Sequence, residues 1–312
     1  MSNLQTIELK HPLPAGTFPE TCTALGFFDG VHRGHEEVIK RAVAAADEKG
    51  MTPAVMTFFP HPKEVLRNAE AEYLTTLEDK KERLEMLGVE ILYLVQFDTS
   101  FASLTPQQFV DRFIIDLNIK HVVAGFDYTY GHKGKGTMDS FPFHARGLVE
   151  TTTVEAFREC DEKISSTAVR TALKNGEINK VSHYLGRHYT VKGKVVQGEK
   201  RGRTIGFPTA NVEPPLKVLL PSAGVYAVMV EKGNETYCGV ANIGVKPTFH
   251  QDSTEKTLEV YFLDFSEDIY GEVLKVEFIE RLRGETKFAS VEELISQIDR
   301  DVENARSVLR DS

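Results

Sequence analysis

Tryptophan is absent and cysteine nearly so: the 312 residues hold three cysteines, Cys22, Cys160 and Cys238. An odd number, widely spaced and without a C-x-x-C, excludes a disulfide framework and a cysteine-rich zinc site, and fits a reducing cytoplasm. No apolar run approaches the ~20 residues of a membrane helix. The opening stretch MSNLQTIELKHPLPAGTFPE carries Glu8 and Lys10 and no continuous apolar segment, so no secretory signal is expected. Basic residues are the minority, 37 against 46 acidic, for a net charge of −9. Such a chain is poorly suited to phosphate backbones, and no nucleic-acid or membrane partner is expected. The common nucleotide signatures are missing too, with no G-x-x-x-x-G-K-[ST] and no G-x-G-x-x-G following a strand. There is no low-complexity segment and no internal repeat.

What is present has the composition of an ordinary soluble protein, 41% hydrophobic and 27% charged. The length suits about two domains of roughly 150 residues. TCTALGF (21–27) reads as a buried strand, EEVIKRAVAAADEKG (36–50) as a helix with Val38, Ala42, Ala45 and Ala46 on one face, and PAVMTFF (53–59) as a second strand. Strand, helix, strand within this span predicts a right-handed βαβ unit. The alternation continues through helical 80–89, strand-like 90–97, helical 106–118 and strand-like 120–126. This is the pattern of a doubly wound α/β domain. After STAVRTALKNGEINKVSHYLG, which reads as two short helices, helical periodicity disappears for about a hundred residues. GVYAVMV and TYCGVANI, parted by EKGNE, predict a hairpin among further β-branched and aromatic runs. The last segment (291–309) places Val291, Leu294, Ile295, Ile298, Val302, Ala305 and Leu309 on one helical face. A boundary near 184–188 therefore separates an α/β domain from a small β-barrel closed by a helix.

The first candidate for chemistry is Gly26-Phe-Phe-Asp-Gly-Val-His32-Arg-Gly34-His35, at the first strand-to-helix turn. In an open parallel sheet that turn lies at the carboxyl ends of the strands, where ligands bind, and the helix N-terminus favours an anion. Gly34 would let the backbone approach a phosphate. His32 and His35 can point the same way and donate to phosphoryl oxygens. A glycine turn with two surface histidines is the bland alternative, and a metal pair is another, although no third ligand stands at zinc-like spacing. Gly131-His-Lys-Gly134-Lys-Gly136-Thr reads as a mobile basic loop, contacting ligand or simply solvated. In Ile164-Ser165-Ser166-Thr167-Ala-Val-Arg170 the hydroxyls are natural helix caps, or with Arg170 a phosphate clamp.

GFFDGVHRGH together with ISSTAVR resembles the H-x-G-H nucleotidyltransferase superfamily. With GEKRGRTIGFPTAN (198–211) the chain resembles the bifunctional riboflavin kinase/FMN adenylyltransferases of bacteria, also called prokaryotic FAD synthetases. TFFPHP (57–62), GFDYTYG (125–131), GVANIGVKPTF (239–249), TLEVYFLDF (257–265) and RLRGETKF (281–288) match in family order across nearly the whole chain. The resemblance implies an FMN adenylyltransferase domain over 1–184 and, over 185–312, a riboflavin kinase domain that is a six-stranded antiparallel barrel closed by the C-terminal helix.

By motif, His32 and His35 would hold the ATP phosphates and stabilise the transition state, and Gly26, Phe28 and Gly34 would shape the cradle. Asp127 takes the family's polar position near nucleotide and metal, and Ser166, Thr167 and Arg170 grip the polyphosphate. The family often has arginine where this chain has Thr129. In the barrel, Gly198, Gly202 and Arg203 would lie over ATP, Thr209 and Asn211 are hard oxygen ligands for Mg2+, and Glu259 would take the proton of the ribityl 5′-hydroxyl. Glu259 reads otherwise as a surface carboxylate on an alternating strand; if it starts the strand, Val260 and Phe262 face inward while it points to the site. Tyr261 stands where many relatives have histidine. Arg283, Glu285 and Phe288 would frame the flavin, or tie the last strand to the final helix. An aromatic flavin needs apolar walls, and TFFPHP offers Phe58, Phe59, Pro60 and His61. The implied ligands are riboflavin, FMN, FAD, ATP, ADP and pyrophosphate, on a cytoplasmic monomer or weak homo-oligomer. Two other readings stand beside this one: an H-x-G-H nucleotidyltransferase with a different acceptor, and a non-enzymatic flavin-binding regulator.

Overall fold

The structure, a computed structural model, describes residues 4–14, 16–67, 69–159, 162–198, 202, 205–215, 217–247, 254–265 and 267–310. By packing, the chain divides into two units, Met1–Ser165 and Ser166–Ser312.

In the first unit six strands form one sheet: β1 (Gln5–Leu9), β2 (Thr21–Leu25), β3 (Thr52–Phe59), β4 (Ile91–Gln96), β5 (Ile119–Gly125) and β6 (Glu150–Val154), in the order β1-β4-β3-β2-β5-β6. All neighbours are parallel. A parallel sheet is covered on both faces, so its strands are apolar throughout, and TCTAL and ILYLV are buried end to end. Helix α1 (Arg33–Lys49) covers one face, setting Val38, Ile39, Ala42 and Ala46 against Ala24, Val55, Leu92 and Val123. On the other face Phe101, Phe109, Phe113 and Ile114 pack on Leu25, Met56 and Tyr93. Two helices, α2 (Pro62–Arg67) and α3 (Leu77–Met86), lie between β3 and β4 in the chain. From β2 the chain winds outward through β3 to β4, then returns to place β5 on the other side of β2. That reversal is the switch point at which such sheets bind ligands.

The doubly wound sheet matches the expectation from sequence, and three details differ. Helix α1 begins at Arg33, three residues before the expected start at 36, because the His32 side chain caps it. The expected helix over 106–118 is α4 (Pro106–Val110), which passes at Asp111 into a π turn ending at Ile115. The edge strands β1 and β6 escape the apolar-run criterion. Each is paired on one side only, and β6 is the threonine-rich ETTTV.

The second unit opens with α5 (Ser166–Asn175) and α6 (Ile178–Leu185), the two short helices expected, joined where Gly176 takes φ +75°. Six strands then close an antiparallel barrel: β7 (Tyr189–Val196), β8 (Thr209–Glu213), β9 (Gly224–Lys232), β10 (Glu235–Pro247), β11 (Thr254–Phe262) and β12 (Val273–Arg283), in the order β7-β8-β11-β10-β9-β12. Burial alternates along β7, with Tyr189, Val191, Gly193 and Val195 inside, as a barrel wall requires. The β9–β10 hairpin pairs Lys232 with Glu235 across a turn in which Gly233 has φ +62°. Arg281 on β12 donates to the carbonyls of Asn175 (3.3 Å) and Ala223 (2.9 Å), and Ser222 N donates to Leu173 O (2.9 Å), so α5 is fastened to the barrel.

Helix α7 (Val291–Arg310) packs Ala305 and Leu309 on Val225, Ala227, Val240 and Ile279. Its expected apolar stripe is buried most deeply at Ala305 and Leu309; Leu294, Ile295, Ile298 and Val302 are half-buried, and Val291 is 53% exposed. A buried carboxylate does more to fix it. Asp301, 2% exposed, receives Arg283 Nε at 3.0 Å and Nη2 at 2.8 Å, with Gln297 Nε2 at 2.9 Å. Breaking a buried pair leaves an uncompensated charge, at a cost of about 3 kcal/mol. Asp301→Ala should therefore lower the stability of the barrel unit by about that amount in urea unfolding followed by circular dichroism; a loss below about 1 kcal/mol would show that the pair does not hold the helix in place.

Candidate active sites

In the first unit β2 and β5 are adjacent and Leu25 is in register with Ala124, so the turns that leave them begin side by side at the switch point. The turn after β2 is tightly specified. Gly26 N donates to Met56 O (3.2 Å), and a Cβ at Gly26 would stand 2.7 Å from the Phe28 ring, which occupies that space. Phe28 (φ +52°), Gly30 (+80°) and Val31 (+39°) all lie in the left-handed region. A β-branched residue there is strained, and strain of this kind persists where surrounding contacts over-determine the backbone.

The turn delivers His32 to the N-cap of α1, where its Nδ1 accepts from His35 N at 3.2 Å. With Nδ1 used as an acceptor, the ring carries its proton on Nε2, which is therefore a donor. The two imidazoles stack with centroids 3.5 Å apart and planes 18° apart, and Phe28 meets the His35 ring edge-on at 5.3 Å. His32 is only 5% exposed. A Cβ on Gly34 would stand 3.3 Å from the His32 ring, so glycine there leaves the imidazole its place. Two imidazoles at the positive end of a 17-residue helix have the donors and the field that suit an anion.

From the neighbouring strand, Asp127 follows β5 and its Oδ2 accepts Lys163 Nζ at 2.7 Å, with the same ammonium 4.7 Å from the Phe126 ring. The segment expected as a mobile loop is the turn between two short paired strands. Thr129–Tyr130 pair with Gly136–Thr137, His132 N donates to Leu104 O (2.6 Å), and Gly131 and Gly136 sit against Pro106 and the Tyr130 ring. Thr129, where the family often has arginine, lies beside Gly134 in this hairpin.

The aromatic segment after β3 divides. Phe58 belongs to the core, 5.6 Å from Phe101 and 6.3 Å from Phe97 between ring centroids. Phe59 and Pro60 instead line a cleft of about 630 Å³ with Glu8, Leu9, Lys10, Pro14, Leu94 and Gln96, beyond the carboxyl ends of β1, β3 and β4. His61 packs edge-on against Phe27 at 4.4 Å, and its Nδ1 accepts from Lys63 N. Beneath the turn lies a residue that sequence reading missed. Lys80 on α3 is 5% exposed, donates to Phe27 O at 2.8 Å, and lies near Asp29, which is itself buried and accepts from Leu74 N at 3.0 Å. A lysine in the run LEDKKERLEM carries no sign of burial.

In the barrel the ladder brings the second set together. Asn211 on β8 and Asn242 on β10 are both in register with Glu259 on β11, and Thr209 is in register with Tyr261. Neighbouring Leu258, Val260 and Phe262 are buried, so Glu259, Asn211 and Thr209 share the opposite face. The strand begins at Thr254, before Glu259, and Val260 and Phe262 still face inward, because alternation alone turns Glu259 away from the interior. Nothing in the sequence distinguishes Asn242 within GVANIGVKPTF; register is what places it. Gly198 has no room for a Cβ against the Asn211 amide, and a Cβ on Gly202 would meet Phe207 O and lie 3.5 Å from Thr209 Oγ1. Hydroxyl and amide oxygens on one face, with a carboxylate in the adjacent row, suit a hard cation such as Mg2+.

Other expected residues lie elsewhere. Ser166 and Thr167 open α5 and Arg170 stands one turn in, within the second unit. Arg283 is committed to Asp301, with Phe288 5.7 Å below the guanidinium, which is the structural alternative weighed for it. Arg203 lies outside the described residues. No group of three His, Cys, Asp or Glu side chains among the described residues could hold a metal ion. Burial pushes the Cys22 thiol up to about 11, so it is no nucleophile at neutral pH.

Among the described residues no helix is long and apolar enough to cross a membrane. The family described as FAD synthetase matches residues 16–168, and that described as riboflavin kinase matches 185–309. A bifunctional riboflavin kinase/FMN adenylyltransferase of Bacillus subtilis is 48% identical over 307 residues, covering 97% of each chain. One from Listeria monocytogenes is 46% identical, covering 97% of this chain and 98% of its own. A solved structure described as a macrolide-efflux protein from Streptococcus pneumoniae superposes with a TM-score of 0.89 at 38% identity, covering 96% of this chain and 98% of that one. With both family matches in order and relatives of this identity along its whole length, the chain belongs to the bifunctional riboflavin kinase/FMN adenylyltransferase family: it phosphorylates riboflavin to FMN with ATP and adenylylates FMN to FAD.

Proposed function

We propose that His32 and His35 are the catalytic groups of adenylyl transfer and that Glu259 is the base of riboflavin phosphorylation. The observation that carries the first assignment is the stacked histidine pair on the cap of α1, over a strained turn at the switch point. In adenylylation the FMN phosphate attacks the α-phosphorus of ATP in line, and the bond to pyrophosphate breaks. No covalent nucleophile is needed, so the protein positions and stabilises charge. Nε2–H of His32 donates to phosphoryl oxygens as charge builds on them, and Gly26, Phe28 and Gly34 shape the cradle. Asp127 stands at the polar edge beside the nucleotide, and Ser166, Thr167 and Arg170 are assigned to phosphate by their motif. Pro60 and Phe59 supply the apolar wall of the flavin side, with His61 behind Phe27; Phe58 supports that wall from the core.

In the kinase reaction Glu259 accepts the proton of the ribityl 5′-hydroxyl as that oxygen attacks the γ-phosphorus and ADP leaves. Thr209 and Asn211 would hold Mg2+, which neutralises phosphate charge, and Gly198, Gly202 and Arg203 belong to the segment over ATP. The adenylyltransferase domain is assigned to 1–184 and the kinase domain to 185–312; α5, which carries the ISSTAVR motif, and α6 fall in the former by that boundary and pack with the barrel unit. The enzyme is assigned to the cytoplasm as a monomer or weak homo-oligomer without nucleic-acid or membrane partners, in keeping with its acidic balance and scarce cysteines.

Two substitutions test the assignments separately. His32→Ala should cut the kcat of FAD formation from FMN by roughly 100-fold or more, with FMN formation from riboflavin within about twofold of wild type. Loss of both activities in a folded protein would contradict separate sites. Glu259→Gln should do the reverse, slowing riboflavin phosphorylation by about 100-fold or more while supplied FMN is still converted. Unchanged phosphorylation would remove Glu259 from the chemistry.

A further inference from the structure

Helix α3 reaches both sides of His32. Lys80 donates to the carbonyl of Phe27, before the histidine in the chain, and Arg83, one turn further along α3, pairs with Glu36, after it. The Phe27 carbonyl is held twice, by Lys80 Nζ and by Thr57 Oγ1, each at 2.8 Å. The same ammonium stands 4.6 Å from the Phe27 ring centroid, and Asp29 is drawn the other way by Leu74 N (3.0 Å) and Thr75 N (3.4 Å). Gly30 N is held by Thr75 Oγ1 at 3.3 Å. The turn from Phe28 to Val31, in which Phe28, Gly30 and Val31 have positive φ, is thus clamped on each side by groups on, or just before, α3.

An ammonium taken out of water costs several kcal/mol unless it is paired and hydrogen-bonded. Burial pushes Lys80 down to about 8 despite the pull of Asp29. A methionine or leucine would fill the volume without that cost, so packing alone does not call for a lysine.

Resting on the assignment of His32 to adenylyl transfer, we infer that Lys80 is a positioning residue for that reaction. It fixes the Phe27 carbonyl and balances Asp29, so that the strained turn presents the His32 Nε2–H where charge develops on the transferring phosphoryl group. Lys80 touches no substrate in this role. Its loss loosens the geometry of the transition state more than the binding of ATP or FMN.

The test is steady-state FMN adenylylation by the full-length chain, comparing wild type with Lys80→Met and Thr57→Val, with riboflavin phosphorylation measured on the same preparations. Lys80→Met should lower kcat about 30-fold or more while KM for ATP and FMN stays within about threefold, because a small misplacement of a catalytic group acts on kcat. Phosphorylation of riboflavin should stay within about twofold, since Lys80 lies in the other unit. Thr57→Val removes the second donor to the same carbonyl with little change in shape, and should lower kcat about threefold with KM unchanged. If Lys80→Met is insoluble, Thr57→Val decides the matter, and a wild-type kcat in it overturns the inference. A Lys80→Met enzyme with wild-type kcat, or with raised KM and retained kcat, overturns it equally. If Lys80→Met behaves as expected while His32→Ala is fully active, the failure belongs to the assignment of His32, and the inference falls with it; if His32→Ala is inactive and Lys80→Met is not, only the inference falls.

Discussion

The site proposed for adenylyl transfer depends on one hydrogen bond, from the backbone N–H of His35 to the Nδ1 of His32. It makes an imidazole serve as a helix cap, a place usually taken by serine, threonine, aspartate or asparagine. In doing so it fixes the tautomer, stacks the second histidine on the first, and starts α1 three residues earlier than the apolar periodicity would. Everything around it serves that arrangement. The turn must pass through positive φ to bring His32 to the cap, Gly26 and Gly34 leave room for Phe28 and the His32 ring, and α3 clamps the turn from below. The parallel sheet contributes location: the cap sits at the reversal of strand order, beside the turn that carries Asp127.

The barrel reaches its site by a different physical route. No special turn or cap places Glu259; the period-2 alternation of β11 turns it outward and the antiparallel register sets it between Asn211 and Asn242. A slip of one residue would bury the carboxylate and expose Val260. The β9–β10 hairpin fixes its own two strands in register, and the Arg283–Asp301 pair ties β12 to α7.

Legibility of the sequence followed the strength of these signals. Continuous apolar runs revealed β2 to β5, the switch to period-2 runs revealed the barrel, and EKGNE revealed its hairpin. The edge strands β1 and β6 were invisible because a strand paired on one side can be polar. The buried charges Lys80 and Asp301 were invisible because a charged residue in a charged helix reads as solvated until the fold supplies its partner. The histidine motif and PTAN could be recognised as motifs, whereas what joins their members could not. The stacking of His32 on His35, the place of Asn242 and the commitment of Arg283 to Asp301 are all consequences of packing and register. In the loop 131–137 the sequence shows the glycines but not their purpose, which for two of them is close approach to Pro106 and Tyr130.

Two ATP-dependent steps act on one flavin in two domains of one chain. The most direct measurement is a time course of the purified protein with riboflavin, ATP and magnesium, with the flavins resolved by chromatography. FMN should appear first and FAD after a lag, and FMN supplied alone should convert without one. Accumulation of FMN with no FAD, and no conversion of supplied FMN, would contradict the reading of the histidine site as an FMN adenylyltransferase centre.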